Sequence, residues 1–189
     1  MVQELTEADI RPADLFDAYL DLVAKDIQTY FDASIRSLIP CPACNHPGNY
    51  AFTKVGFEYR DCPTCHSLWV SPRPPFADFS AFYSKSVSAE YWAEVFSPAV
   101  QEVRRERLWR PKANRVARLV SQWEAVSTPF RSVVDIGGGT GIFAEEFEKF
   151  TSIDVVVVEP SPAAAASCRA RNIAVLETFL EDLTKNILP

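Results

Sequence analysis

Apolar residues recur at helical spacing near the start of the chain: Leu15, Phe16, Tyr19, Leu20, Val23, Ile27, Tyr30 and Phe31. This spacing predicts an amphipathic helix whose other face is acidic and solvated. The period then changes. Tyr50, Phe52, Phe57 and Tyr59 alternate around Lys54-Val55-Gly56, as in a short hairpin, and Leu68-Trp69-Val70 supplies a third strand. Ser71-Pro72-Arg73-Pro74-Pro75 can continue neither strand nor helix and reads as a stiff connector. Phe76, Phe79, Phe82, Tyr83, Tyr91 and Trp92 follow at spacings that suit core packing, and Glu102 to Arg118 reads as a helix. Ser127 to Phe130 leads into Val133-Val134-Asp135-Ile136, which has the β-branched character of a buried parallel strand. Ile142 to Phe147 opens an amphipathic helix, Asp154 to Val158 is a second strand, and an alanine-rich helix follows Glu159. Strands alternating with helices in this half imply an α/β fold. Internal repeats and low-complexity tracts are not visible.

With 189 residues, 48% of them hydrophobic, the chain is long enough for one sizeable core or two small units. A net charge of −6 and a pI near 5.0 argue against broad nucleic-acid binding, which shows as a basic domain. The longest purely aliphatic run among the strands, Val155 to Val158, is far too short to span a membrane. Met1 to Glu7 is acidic and lacks the basic-then-apolar order of a secretory leader, so a cytoplasmic location is expected.

Cysteine usage fits that compartment. Cys41-Pro42-Ala43-Cys44 and Cys62-Pro63-Thr64-Cys65 are separated by seventeen residues, inside the spacing of a four-thiolate zinc site. Each Cys-x-x-Cys pair forms a knuckle aiming two sulfurs at one ion. The residue after the second cysteine of a knuckle often takes positive φ, a conformation that Asn45 and His66 tolerate better than most non-glycine residues. Hairpin, third strand and knuckles together resemble a zinc ribbon. Two disulfides, a redox or iron site, or a ligand role for His46 or His66 are the competing readings. Four thiolates close the coordination shell, so the expected zinc is structural and performs no chemistry. Cys168 is read as a small buried residue rather than a reactive thiol.

Asp135-Ile136-Gly137-Gly138-Gly139-Thr140-Gly141 sits between a predicted strand and a predicted helix, and Glu159 follows the last glycine by eighteen residues. A strand-to-helix turn of this kind needs positive φ and lets a ligand approach the backbone, beside the free N–H groups of a helix N-terminus. A carboxylate at the end of the next strand can accept both hydrogen bonds of a ribose diol. Read as Asp135-x-Gly137-x-Gly139-x-Gly141, the turn resembles motif I of class I methyltransferases that use S-adenosylmethionine. Gly139-x-Gly141-x-x-Ala144 also matches a dinucleotide fingerprint, but this places Asp135-Ile136-Gly137-Gly138 where an apolar strand end belongs. A glycine-rich turn without ligand is the third reading.

Charge adds two further expectations. The first forty residues hold eight acidic and three basic residues, and Glu102 to Arg118 holds seven basic and two acidic. The basic run is by default a solvated helix face; the sharper reading brings Arg104, Arg105, Arg107 or Arg110 toward an anionic substrate or the cofactor carboxylate.

Taken together, Cys41-x-x-Cys44, Cys62-x-x-Cys65-x-x-Leu68-Trp69-Val70-Ser71-Pro72-Arg73-Pro74, the segment around Tyr83 and Tyr91, Asp135 to Gly141 and Glu159-Pro160-Ser161 resemble one group over residues 40 to 183. That group is the class I S-adenosylmethionine-dependent methyltransferases with an N-terminal zinc-ribbon segment, often associated with sugar, polysaccharide or natural-product modification. The resemblance implies a Rossmann-like fold and divides the chain into a helical segment (1–39), a zinc ribbon (40–72), a helical connector or cap (73–126) and the first part of the cofactor domain (127–189). It implies that Gly137, Gly138, Gly139 and Gly141 hold the methionine part of the cofactor, with Asp135 toward its ammonium. Glu159 would hold the ribose hydroxyls, and Pro160 and Ser161 would border the adenine. Phe179-Leu180-Glu181-Asp182 falls at the third adenine-side motif, with Phe179 where an Asp is frequent. A sheet of this class resembles a seven-stranded one; three strands are countable here, so a fragment lacking on the order of 100 residues is expected. No catalytic residue is assigned, since His46 and His66, the two histidines, both sit in the knuckles. The expected activity is methyl transfer to a small-molecule, sugar or natural-product acceptor. The rivals are an RNA methyltransferase whose ribbon presents RNA, against which the three basic and two acidic residues of 41–75 weigh, and a non-enzymatic zinc-binding adaptor.

Overall fold

The computed structural model describes residues 5–31, 35–125 and 127–183. Two short sheets, one antiparallel and one parallel, are joined by a helical section that touches both.

The N-terminal periodicity is realised as α2 (Ala13–Tyr30), preceded by a single turn, α1 (Glu7–Ile10). Its apolar stripe meets aromatic residues from later in the chain. Tyr19 packs on Trp92 with ring centroids 4.9 Å apart, and Phe16 on Phe96 at 5.9 Å. At the end of the helix, buried Phe31 touches Phe57 at 5.3 Å, Phe79 at 5.0 Å and Phe82 at 5.5 Å. This one ring therefore joins the helix to the antiparallel sheet and to α3 (Phe76–Lys85). The acidic face is not wholly solvated as expected. Asp26 is buried, and its carboxylate accepts a 2.7 Å hydrogen bond from the N–H of Ser88. It thereby caps α4 (Val87–Tyr91), whose N-cap Ser86 accepts from Ala89 N at 3.2 Å.

The antiparallel sheet has the order β1 (Asn49–Lys54), β2 (Phe57–Asp61), β3 (Leu68–Val70). Its buried residues are Cys41, Cys62 and Trp69, with Ile39 packed on them. Trp69 donates its indole N–H to Ile39 O at 3.1 Å. Gly48, at φ 71°, lies beneath the Trp69 ring, where a Cβ would come within 2.2 Å of a ring carbon.

From Val87 to Glu124 the backbone stays helical but changes pitch twice. Wide, π-type turns at Trp92–Phe96 and Arg105–Trp109 alternate with α4, α5 (Ser97–Arg104) and α6 (Arg110–Glu124). The cause is in the sequence. Pro98 and Pro111 each lack an N–H, and each ring would press on the carbonyl four residues earlier. Opening the turn just before the proline relieves this, and the N–H groups of Ser97 and Arg110 bond five residues back, to Trp92 O and Arg105 O.

The parallel sheet has the order β4 (Ser132–Ile136), β5 (Asp154–Val158), β6 (Ala174–Leu176). α7 (Ile142–Glu148) and α8 (Pro162–Ala170) connect these strands. Val155, Val157 and Ile153 bury against Ala144 and Phe147 of α7, Cys168 of α8 and Ile173. Ala113 and Ala117 bring α6 into the same core, their small side chains allowing the helices to approach closely. Among the described residues no strand pairs with the outer edge of β4. No helix among them is long and apolar enough to cross a membrane.

Candidate cofactor and metal sites

Two knuckles of the same hydrogen-bond pattern build the cysteine cluster. Asn45 N bonds to Cys41 O at 2.8 Å, and His66 N to Cys62 O at 2.9 Å; Asn45 and His66 take φ of 63° and 58°. The four sulfurs lie within 4.8 Å of one another, Cys41 Sγ being 3.5 Å from Cys65 and Cys44 Sγ 3.4 Å from Cys62. A tetrahedron of 2.3 Å metal–sulfur bonds has edges of about 3.8 Å, so these separations suit one thiolate-bound ion and are far longer than a disulfide bond. All four cysteines are free. The Nδ1 atom of His46 accepts from Gly48 N at 2.9 Å, which commits that ring to the loop. Neither histidine joins the cluster.

At the other site, β4 delivers Asp135 to the start of the glycine turn, and Gly137 N continues the ladder to Val158 O at 2.7 Å. Gly137, Gly139 and Gly141 take φ of 72°, 58° and 78°. Gly138 is required for space instead. A Cβ there would stand 2.7 Å from the Asp135 carboxylate and 2.9 Å from Val157. Gly141 starts α7 in the left-handed conformation over Cys168, whose Sγ lies 2.9 Å from where a Cβ would be. The Cys168 thiol donates to Gly139 O at 3.1 Å, and burial, with the charge of Glu159 second, pushes its pKa up to about 11. It is a neutral prop under the turn.

Glu159 ends β5 with 7% of its surface exposed. Its two carboxylate oxygens accept from the N–H groups of Gly139 and Ser161, both at 2.9 Å. The acid therefore ties the glycine turn to the start of α8, where Ser161 is the N-cap. Burial first, and the charge of Glu159 second, raise the carboxyl pKa of Asp135. The phenol of Tyr83, on α3, is raised by the same two causes in the same order. Tyr91 points elsewhere and donates to Leu15 O at 3.3 Å. Phe179 packs edge-on against Phe76 and Tyr83, with centroids 4.9 and 5.9 Å away, joining the end of the parallel unit to α3.

A cavity of about 520 Å³ opens between the glycine turn and the helical section. Asp135, Gly137, Gly138, Gly139 and Thr140 form one side, with Ile142 and Phe143 of α7. Trp92, Gln101, Arg104, Trp109, Lys112 and Arg115 form the other. Glu159, Pro160 and Ser161 do not line it. Ser161 instead borders a smaller cavity of about 230 Å³, together with Tyr83, Ser86 and Glu90.

Sequence reasoning missed the device that fixes these two sides. Glu146 on α7 is fully buried and binds three cations: Arg105 at 2.6 Å, Arg110 at 2.7 Å and Lys149 at 2.6 Å. Burial alone would raise its pKa, but the hydrogen bonds from Arg110, Lys149 and Arg105 outweigh that and hold it at about 2. Arg105 also reaches Glu145 at 2.7 Å. Arg171 bonds Thr140 O and Glu145 at 3.0 Å each, and the side-chain oxygen of Gln101. Of the basic residues considered for anion binding, Arg105 and Arg110 are thus consumed internally, whereas Arg104 lines the cavity. The signal available in the sequence was the Glu145-Glu146 pair beside an otherwise apolar helix face.

The sequence matches no known family model and no curated protein. Among solved structures, the chain is similar to the plantazolicin methyltransferase BpumL in complex with a monoazolic desmethylPZN analog and SAH, with a TM-score of 0.41 and 13% identity over 58% of this chain. A second structure of BpumL, in complex with SAH, gives a TM-score of 0.41 and 16% identity over 57% of this chain. In each case the alignment covers 41% of the BpumL chain.

Proposed function

We propose that this chain binds S-adenosylmethionine and serves methyl transfer to a small-molecule acceptor, with zinc as a structural ion on Cys41, Cys44, Cys62 and Cys65. One arrangement carries the reading: a glycine turn with three positive-φ positions, joined through Gly139 N to a carboxylate ending the adjacent parallel strand, beside a cavity of about 520 Å³. That volume is within the usual range for small-molecule pockets.

The residues present suit the cofactor. Gly137 and Gly139 leave open space where a Cβ would stand, so a ligand can approach their backbone. Asp135 has a carboxyl held unfavourably by burial and by Glu159, and an ammonium beside it would relieve both. Each Glu159 oxygen uses one acceptor site on a backbone N–H, which leaves further lone pairs for a ribose diol. Pro160 and Ser161 continue from there toward the adenine, near Tyr83. When bound, the cofactor supplies an electrophilic methyl group on a sulfonium. The chain's part is to orient it over the turn and exclude water with Trp92, Trp109 and Phe143. The organisation that follows is a helical segment over 1–39, a ribbon over 40–72, a cap over 73–126 and the cofactor unit over 127–189.

Titration calorimetry of the zinc-loaded chain with S-adenosylhomocysteine tests this. Glu159→Ala is expected to weaken binding by roughly 1.5–3 kcal/mol, about 10- to 150-fold, through loss of charge-assisted acceptors. Equal affinity of the two proteins, or no binding by the wild type, would overturn the assignment.

A further inference from the structure

The cavity wall opposite the glycine turn has a chemistry that the cofactor does not use up. Arg104 is half-buried between two indoles, its guanidinium 5.5 Å from the Trp92 centroid and 5.9 Å from that of Trp109. Its Nε is buried without a hydrogen-bond partner. Lys112 Nζ stands 4.7 Å over Trp109, and Arg115 lies one helical turn further along α6. Among the described residues none of these three cations forms an ion pair, although Arg105 and Arg110 on the same helical run are fully engaged with carboxylates. Burial, and the like charge of Arg11 nearby, lower the Arg104 pKa, as befits a cation that lacks a counter-charge.

Charge then selects the ligand. Among the described residues Asp135 is the one carboxylate lining the cavity, against three cations. S-adenosylmethionine brings a sulfonium, an ammonium and a single carboxylate, so binding it leaves the cavity more positive. We propose that Arg104, Lys112 and Arg115 form a subsite for a phosphate or carboxylate group on the methyl acceptor, a proposal that rests on the cofactor reading above. The indoles of Trp92 and Trp109 hold two of the cations, Arg104 and Lys112, from behind by cation–π contact. An acceptor anchored through its anion presents its nucleophile from the side of the cavity facing the turn, and in-line transfer depends on such orientation.

Phenyl phosphate and benzoate are suitable probes, since each offers one anion and a ring for the indole wall. Calorimetry with the full zinc-loaded chain, saturated with S-adenosylhomocysteine, is expected to show binding that weakens with added salt. Arg104→Met and Lys112→Met should each reduce it about tenfold, and Arg104→Lys should retain much of it. S-adenosylhomocysteine affinity should stay within about threefold in all of them. The stronger of the two probes identifies the anion. Failure of both probes to bind the wild type, or binding unaffected in Lys112→Met and Arg115→Met at their exposed positions, would overturn the subsite. A loss of S-adenosylhomocysteine affinity in Arg104→Met equal to the loss of probe would also overturn it, because the cation would then hold the cofactor's own carboxylate. Probe binding that needs Arg104 in a chain that never binds S-adenosylhomocysteine would keep the anion site and remove the cofactor reading instead.

Discussion

In the antiparallel sheet every residue of β1 is exposed, and the buried side chains reduce to Cys41, Cys62 and Trp69 with Ile39 against them. In the parallel sheet, Val155, Val157 and Ile153 sit in a cluster of nine buried residues drawn from the strands, from α6, α7 and α8, and from the loops between them. The sheets are equally small, three strands each. The parallel one spends its residues on apolar burial, at about 25 cal/mol per Å² removed from water. The other has too few buried residues for that term to offset the ordering of its loops, and four sulfurs converge where a core would be. The antiparallel sheet therefore leaves β1 uncovered, whereas the parallel sheet depends on its packing partners.

The largest expected effect breaks the ribbon and spares the rest. Structural zinc sites contribute about 10–16 kcal/mol to folding of small domains. Cys62→Ser, or chelation, should unfold residues around 40–72 locally, red-shift the emission of buried Trp69, and leave the helical far-ultraviolet signal largely in place. Stoichiometric zinc analysis of the purified chain is the companion measurement. A metal-free protein with an unchanged Trp69 environment would show that the ribbon stands without the ion.

The next effect belongs to the parallel unit. Glu146→Gln removes the buried carboxylate charge shared by Arg105, Arg110 and Lys149, while Arg105 keeps Glu145 at 2.7 Å, so the cost falls at the lower end of the about 3–5 kcal/mol of a broken buried pair. Thermal melts should show this loss with zinc content unchanged. The pH dependence has a definite sign. Glu146 is held at about 2 in the folded chain and lies near 4.3 when unfolded, so the unfolded state binds more protons between those values. The contribution is fully present above about pH 5 and is lost as pH falls toward 2. The stability difference between wild type and Glu146→Gln should therefore shrink across that window. A constant difference would show that Glu146 carries no charge-dependent stabilisation.

How far the residues announced these features follows the range of the interactions involved. Knuckle, hairpin and glycine turn are local: Asn45 and His66 take the positive φ expected of them, and β5 covers the predicted residues 154 to 158. What was not legible depends on pairings across the chain. Nothing near Glu146 marks Arg105, forty-one positions away, as its partner, and Asp26 looked like one more solvated acid until Ser88 came to rest on it. The wide turns were legible in principle, since Pro98 and Pro111 interrupt apolar-periodic helix. Of the cation wall only Arg104 was singled out, alongside Arg105 and Arg110 that α7 takes up, because which basic residues stay clear of carboxylates depends on where α7 docks.

A matched pair of glycine substitutions sharpens the comparison at intermediate size. Gly48→Ala and Gly141→Ala both place a side chain at φ above 70°, which costs about 1–2 kcal/mol in either region. The surroundings then differ. At Gly48 the new carbon meets the rigid Trp69 ring at 2.2 Å, and at Gly141 it meets the Cys168 sulfur at 2.9 Å. Cys168→Ala removes that second obstacle, so Gly141→Ala should be partly rescued in the double variant. The chemical-denaturation midpoint should recover accordingly, with no such partner for Gly48.

The smallest expected effect tests the helical section that touches both sheets. Asp26 caps α4 from α2 through one 2.7 Å hydrogen bond, while the N-cap Ser86 of α4 serves a different N–H. Asp26→Asn keeps the size and an acceptor oxygen but removes the charge that a helix N-terminus favours, an effect of about 0.5–1 kcal/mol. Asp26→Ala removes the acceptor as well, leaves Ser88 N buried and unpaired, and should cost about 1–2 kcal/mol. Because α4 leads directly into the wide turn carrying Trp92, the Ala variant should also loosen the cavity wall. Hydrogen exchange at Ser88 and Ala89 should then rise, together with exchange in residues 92–96, while the knuckle amides of Asn45 and His66 stay protected. Equal acceleration at the knuckles would mean that the ribbon draws its order from the helices and not from its own cysteines.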